Sequence, residues 1–316
     1  RSKLACAVQC TVGPNPLSTC SSTKNRKDQG GTIVRRDFGF RGHDLPVQDD
    51  IEGLAQAAEA RGIHTLQFAL PLSLPTVSDH GNKINQGLGN YVRRTFADHD
   101  VEVGILSCYV NMIDPDATGR QAALTRLQRY LRYAPAFGTR IVATETGSVE
   151  VGFPYTEKNF AAKPFADLID AVAAVLPAAH AAGTMLALEP GVNHPLYSLD
   201  KTAALLAHFD YDPALKLIID PVNLLQPDHH DVVGILQEAF ERFADQIVAV
   251  HIKDYQWTPG AARLVKTVIP GAGEQDIQPL IDLAERYQPF GIKCLDELEA
   301  AHIDEALATP VVRQYQ

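Results

Sequence analysis

The 316-residue chain has too little positive charge to act as a general nucleic-acid binder. Its 28 Lys and Arg are outnumbered by 38 Asp and Glu, for a formal net charge of -10. Non-specific affinity for DNA or RNA comes from neutralising phosphates with basic side chains. The sequence also shows no apolar run approaching the roughly 20 residues that cross a bilayer, and no charged-then-apolar signal segment at its N-terminus. A soluble, cytoplasmic protein with no membrane and no nucleic-acid partner is expected. Cysteine is scarce and poorly spaced for staples. Cys6 and Cys10 have no second Cys pair or His-x3-5-His to complete a zinc site, and a total of five suits no disulfide framework. Cys108 and Cys294 lie in apolar runs and read as core thiols. Finally, Gly39 to Gly42 reads GFRG, not the glycine fingerprint that a dinucleotide-binding sheet needs after its first strand.

What is present is a large apolar fraction, 46%, arranged in a regular rhythm. Residues 1–31 stand apart: they are rich in Ser, Thr, Asn, Gly and Lys, lack a sustained period, and read as an extension, mobile or appended, without chemistry of its own. From Thr32 to the end, short apolar runs alternate with helical patterns. The runs are 33–40, 63–70, 101–109, 139–145, 184–189, 215–220, 246–252 and 291–297. Helical stretches such as 49–62, 116–138 and 164–183 start at Asp or Pro and stop at Gly62, Gly138 and Gly183. Eight βα units without an internal linker predict an α/β fold, a single (β/α)8 TIM barrel over residues 32–316.

In such a barrel the side chains at the C-terminal ends of the strands share one mouth. Those ends carry Glu145 after RIVAT, Glu189 after MLAL, Asp220 after KLII, His251 after IVAV, and Asp296, Glu297 and Glu299 after IKCL. Glu189, Asp220 and His251 are spaced by equal steps of 31 residues, about one βα unit, which places them at one height. Carboxylates with one imidazole make a mixed oxygen and nitrogen site. It suits a divalent ion, hard enough for Mn²⁺, the favoured choice, or Mg²⁺ and still acceptable to Co²⁺ or Zn²⁺.

The pieces FGFRGHDL (38–45), LSCYVNMI (106–113), ALEPGVNHP (187–195), IIDPVNLL (218–225), VHIKDY (250–255), IPGAGEQDI (269–277) and LDELEA (295–300), in this order, resemble the xylose isomerase-like TIM barrels, the sugar isomerase and epimerase superfamily. The resemblance implies a small sugar or sugar derivative as substrate, and association into homo-oligomers is common in the family. It further implies that Glu189, Asp220, His251 and a last-strand acid bind one metal. Asp296 and Glu297 point to opposite faces of that strand, so only one enters the mouth. Glu297 is the expected ligand, with Asp296 the alternative. The implied reaction removes a proton next to a carbonyl and passes through an ene-diolate, with Glu189 and Glu297 as the two acid/base groups. A dehydratase or lyase acting on a keto-cyclitol or keto-acid shares that first step. An endonuclease IV-like activity would need more strand-end histidines, and a non-enzymatic sugar-binding regulator would need no metal.

Further expected substrate contacts are His194 in the GVNHP turn, Gln67, Asn111 and Glu145 at strand ends, and the pair Lys253 and Asp254 behind His251. Arg41 and His43, after the first strand, are candidates for a phosphate or carboxylate. Asn223 stands where many members carry the His of Asp-x-x-His, and Trp257 where the ketose 3-epimerases carry Arg. Different polar groups imply a different substrate.

Overall fold

The computed structural model describes residues 38–228, 230–258 and 264–315. The extension expected over 1–31 and the start of the first expected strand lie outside them. The strands are β1 (Gly39–Arg41), β2 (Thr65–Ala69), β3 (Glu102–Ser107), β4 (Ile141–Glu145), β5 (Met185–Glu189), β6 (Leu215–Ile219), β7 (Ile247–Ile252), β8 (Asp254–Trp257), β9 (Val265–Val268) and β10 (Ile292–Leu295). All but β8 and β9 close into a parallel barrel in the order β1-β10-β7-β6-β5-β4-β3-β2. The helices are α1 (Ile51–Glu59), α2 (Leu70–Ser73), α3 (Gln86–Asp98), α4 (Ala117–Tyr133), α5 (Ala162–Ala182), α6 (Leu199–His208), α7 (Val232–Phe243), α8 (Gln278–Tyr287), α9 (Ile303–Ala308) and α10 (Pro310–Arg313). The expected TIM barrel is the fold observed.

Local chemistry sets the helix ends. Asp50, Asp116 and Asp231 each accept the backbone N–H three residues on, at 2.8 to 2.9 Å, and so cap α1, α4 and α7. Gly62, Gly138 and Gly183, the expected stops, all have φ between 62° and 93°, where a side chain is strained. By length and composition alone α5 could cross a bilayer, a test that the core helix of a barrel also passes. Its Leu168, Val172, Val175 and Ala179 are instead buried in the helical layer, and Gln128 of α4 donates to the Ala174 carbonyl.

Between helices and barrel lies the main core, which includes Phe40, Phe68, Leu106, Leu186, Leu188, Ile219 and Val250. A second, smaller cluster fills the barrel itself with Ile105, Ala143, Ala187, Ile218 and Ala249, flanked by Ile292. Strand residues two apart share a face. Glu145, Glu189, Asp220 and His251 each follow one of these interior residues by two, which stacks them as the next layer, at the mouth.

Outside the barrel, His99 after α3 contacts Glu59 Oε2 through Nδ1 at 2.6 Å and Glu52 Oε1 through Nε2 at 2.8 Å. Both carboxylates of α1 favour the imidazolium and raise its pKa. A raised folded pKa adds stability that is complete below the unfolded value and fades as pH climbs through the folded one. The melting-temperature gap between the native protein and His99→Gln is therefore expected to be wide at pH 6 and to narrow by pH 9. An equal gap at both would show that the imidazole acts by packing alone.

Candidate active site

His251 is 1% exposed and organises the mouth. Its Nε2 meets Gln67 Oε1 at 2.9 Å, and Gln67 Nε2 donates to the Tyr109 hydroxyl at 3.0 Å. With its amide nitrogen so engaged, Gln67 presents oxygen to the ring, which places a proton on Nε2. That leaves Nδ1 buried and without a hydrogen-bond partner. It faces Glu189 Oε1 at 3.5 Å, Asp220 Oδ2 at 3.7 Å and Asp296 Oδ2 at 3.7 Å. These gaps are long for hydrogen bonds but close to the roughly 3.0–3.4 Å separating two ligands about 2.1 Å from one ion. Ligand atoms of Glu189, Asp220 and His251 all lie within 4.8 Å of one another. A divalent cation fits this donor set.

Each carboxylate is held from behind. Asp220 Oδ1 accepts the backbone N–H of Val222 and of Asn223, both at 3.0 Å, which turns Oδ2 towards His251. Asn223 donates from Nδ2 to Glu189 Oε1 at 2.9 Å and accepts at Oδ1 from Lys253 Nζ at 3.2 Å. An amide suits this place because it can donate to an acid and accept from an ammonium at once. Burial pushes the Glu189 carboxyl up; His251 opposes this, and Asp220 and Asp296 add to it. Burial alone would lower the pKa of His251, but Asp296 and Glu189 outweigh it and hold the ion-free ring protonated.

On the last strand the structure differs from expectation. Ile292, Cys294 and Asp296 alternate onto the inner face, and Cys294 pairs in register with His251, so Asp296 is the acid that faces the imidazole. Glu297, with φ of 55°, turns sideways; its Oε2 accepts from Lys253 Nζ at 3.1 Å and from Thr267 Oγ1 at 3.0 Å. Lys253 is fully buried. Its Nζ lies 2.7 Å from Asp220 Oδ2 and 3.1 Å from Asp296 Oδ2. Burial would drive its proton off, but Asp220, Glu297 and Asp296 hold it firmly charged. His251, Lys253 and Arg41 likewise outweigh burial and keep Asp296 ionised.

The other expected contacts divide into two groups. Glu145 and His194 line a cavity with Glu189, Asn223 and Glu297. His194 is fixed by Nδ1 on the Gly147 carbonyl at 2.9 Å, and its Nε2 faces Glu145 Oε2 at 3.8 Å. Four residues are instead committed to the protein. Gln67 orients His251. Asn111 ties two loops together, donating to the Ser148 carbonyl at 2.8 Å and accepting from Ser148 N at 3.1 Å. Asp254 is turned away from the mouth: it accepts backbone N–H groups of Tyr255, Gly271, Gly273 and Gln275 at 2.7 to 2.9 Å. Arg41 grips Asp44 at 2.8 to 3.1 Å and lies 3.6 Å from Asp296 Oδ1, so its charge is already matched. His43 still lines the mouth, where burial and then Arg41 lower its pKa to about 4 and leave it neutral.

A model of the xylose isomerase-like TIM barrel family matches residues 54–299. The chain belongs to this family. No curated protein matches the sequence. Among solved structures of the fold, a 3-keto-D-glucoside 4-epimerase from E. coli shares 15% identity at a TM-score of 0.65, covering 87% of this chain and 98% of that one. A probable 3-DHS dehydratase of petrobactin synthesis from Bacillus anthracis shares 14% at 0.66, covering 88% and 97%. A xylose isomerase-like TIM barrel protein from Mycobacterium smegmatis, in complex with magnesium, shares 16% at 0.62, covering 89% and 97%. Identities this low establish the fold alone.

Two parts of this family member's mouth escape a reading by strand ends. Asp44, which neutralises Arg41, lies in a 3-10 turn after β1. Burial, against the pull of Arg41, raises its pKa to about 6. The antiparallel β8–β9 pair brings Thr267 to Glu297. Its signal was the Pro259-Gly260 dipeptide between two short alternating runs.

Proposed function

We propose that the chain is a divalent-metal-dependent sugar isomerase or epimerase that removes and returns a proton next to the carbonyl of a ketose, sugar acid or sugar phosphate. The observation that carries this reading is Nδ1 of His251, buried without a hydrogen bond among three carboxylates at 3.5 to 3.7 Å. Glu189, Asp220 and His251 would hold the ion, and Asp296, which faces the same imidazole, would be the fourth ligand in place of Glu297. When bound, a divalent ion, Mn²⁺ favoured, would supply Lewis-acid polarisation of the substrate oxygens. Glu189 takes the proton: burial raises its affinity for one, and it lines the cavity. Glu297 lines the same cavity and is the second acid/base group. Return to the same carbon gives epimerisation, and return to its neighbour gives isomerisation.

A second reading, dehydration of a keto-cyclitol or keto-acid, draws support from the pairing of His194 Nε2 with Glu145 at the cavity wall, where the two side chains would assist the departure of a hydroxyl. Calorimetry of EDTA-treated protein with Mn²⁺ is expected to show one site. Deuterium from solvent should then enter one member of a panel of ketoses, sugar acids and sugar phosphates, and the product separates the two readings. Neither ion binding nor exchange would refute both.

A further inference from the structure

Tyr109 stands between two spaces. On one side it lines the mouth with Arg41, His43 and Glu189; on the other it lines an open groove of about 860 Å³ along α4, with Asn82, Thr125, Arg126 and Arg129. Among the described residues no carboxylate lines the groove, although Asp114 and Asp116 lie beside Gly119 at its rim, on a chain of net charge -10. Arg126 Nη2 donates to Asn82 Oδ1 at 2.7 Å, and Arg129 Nη2 to the Ile84 carbonyl at 3.3 Å. Both acceptors are neutral. Among the described residues neither guanidinium is within ion-pair distance of an acid, whereas Arg41 is matched by Asp44 and Asp296. Three residues apart on one helix, Arg126 and Arg129 share a face. The start of α4 adds nothing to the attraction, because Asp116 already caps it.

We propose that this groove seats an anionic group of the substrate, phosphate or carboxylate, remote from the carbon that reacts. The proposal rests on the reading of the mouth as a sugar-transforming site and narrows its substrate to an acidic derivative. Arg41 and His43, expected for this task, are not available for it: one is neutralised and the other uncharged. A guanidinium held by neutral acceptors keeps its charge and free N–H groups for bidentate contact with an oxyanion. Tyr109 is the boundary that the substrate would cross from groove to mouth.

The test compares the native protein, Arg126→Gln/Arg129→Gln and Arg126→Lys/Arg129→Lys. In EDTA-treated samples, inorganic phosphate and malonate are titrated while the melting temperature is followed. Either anion is expected to raise it in the native protein, less in the Lys variant, and not in the Gln variant. With Mn²⁺ present, the ratio of KM for anionic to neutral sugars should rise at least tenfold in the Gln variant; whether sugar phosphates or sugar acids show it identifies the group. Equal anion response in all three proteins, or an unchanged KM ratio, overturns the proposal. If no sugar exchanges deuterium in the native protein, the reading of the mouth fails, and the anion titration still decides the groove.

Discussion

Glu189→Gln is expected to lower solvent deuterium exchange by about 10²–10⁴-fold, the range that a positioned proton-transfer group contributes. The amide keeps the shape of the side chain and an oxygen that can face an ion, but it cannot accept a proton at neutral pH. Because Glu189 is read as ligand and base together, a loss of rate alone does not separate the roles. Excess Mn²⁺ does. If Glu189 only held the ion, saturating Mn²⁺ would restore exchange; if it takes the proton, exchange stays low while calorimetry shows the site filled. Asp220→Asn is the contrast. Asp220 is 0% exposed and lines neither cavity at the mouth, so its loss should be recovered in large part by excess ion. Unchanged exchange in Glu189→Gln sinks the mechanism.

The layer containing Glu189 was legible because a barrel repeats: equal steps of 31 residues bring equal heights, and alternation along each strand selects the inward side chain. The same alternation, applied from Ile292 through Cys294, points to Asp296; the expectation of Glu297 followed a habit of relatives instead. Asp254 is hidden from the sequence for another reason. A carboxylate beside a strand end reads as facing the mouth, but the backbone N–H groups that hold it lie up to 21 residues further on, in a loop whose path no periodicity encodes. Arg41 shows the same limit. That a charge exists is plain from sequence, but whether a neighbour such as Asp44 has already matched it depends on the turn between them. Helix α5 marks the opposite case, in which composition alone cannot tell a barrel helix from a membrane span, and its place between β4 and β5 of the closed barrel can.

Lys253 carries the largest expected effect on stability. Its ammonium, 0% exposed, is ion-paired with Asp220, Asp296 and Glu297. Removing one partner of a buried ion pair costs about 3–5 kcal/mol, because the other charges stay buried without compensation. Lys253→Met keeps the volume and deletes the charge, so urea unfolding of the ion-free variant should show a loss of that size. Deleting the ammonium leaves Asp220, Asp296 and Glu297 in a denser negative field than in the native protein. A divalent cation should bind the variant more tightly for that reason. At 100 times its dissociation constant an ion returns about 2.7 kcal/mol to the state that binds it. Mn²⁺ is therefore expected to recover much of the deficit and to raise the stability of the variant more than that of the native protein. An equal Mn²⁺ effect in both would mean that Lys253 and the ion do not act on the same carboxylates, and the assignment of Asp220 and Asp296 as shared partners would fall with it.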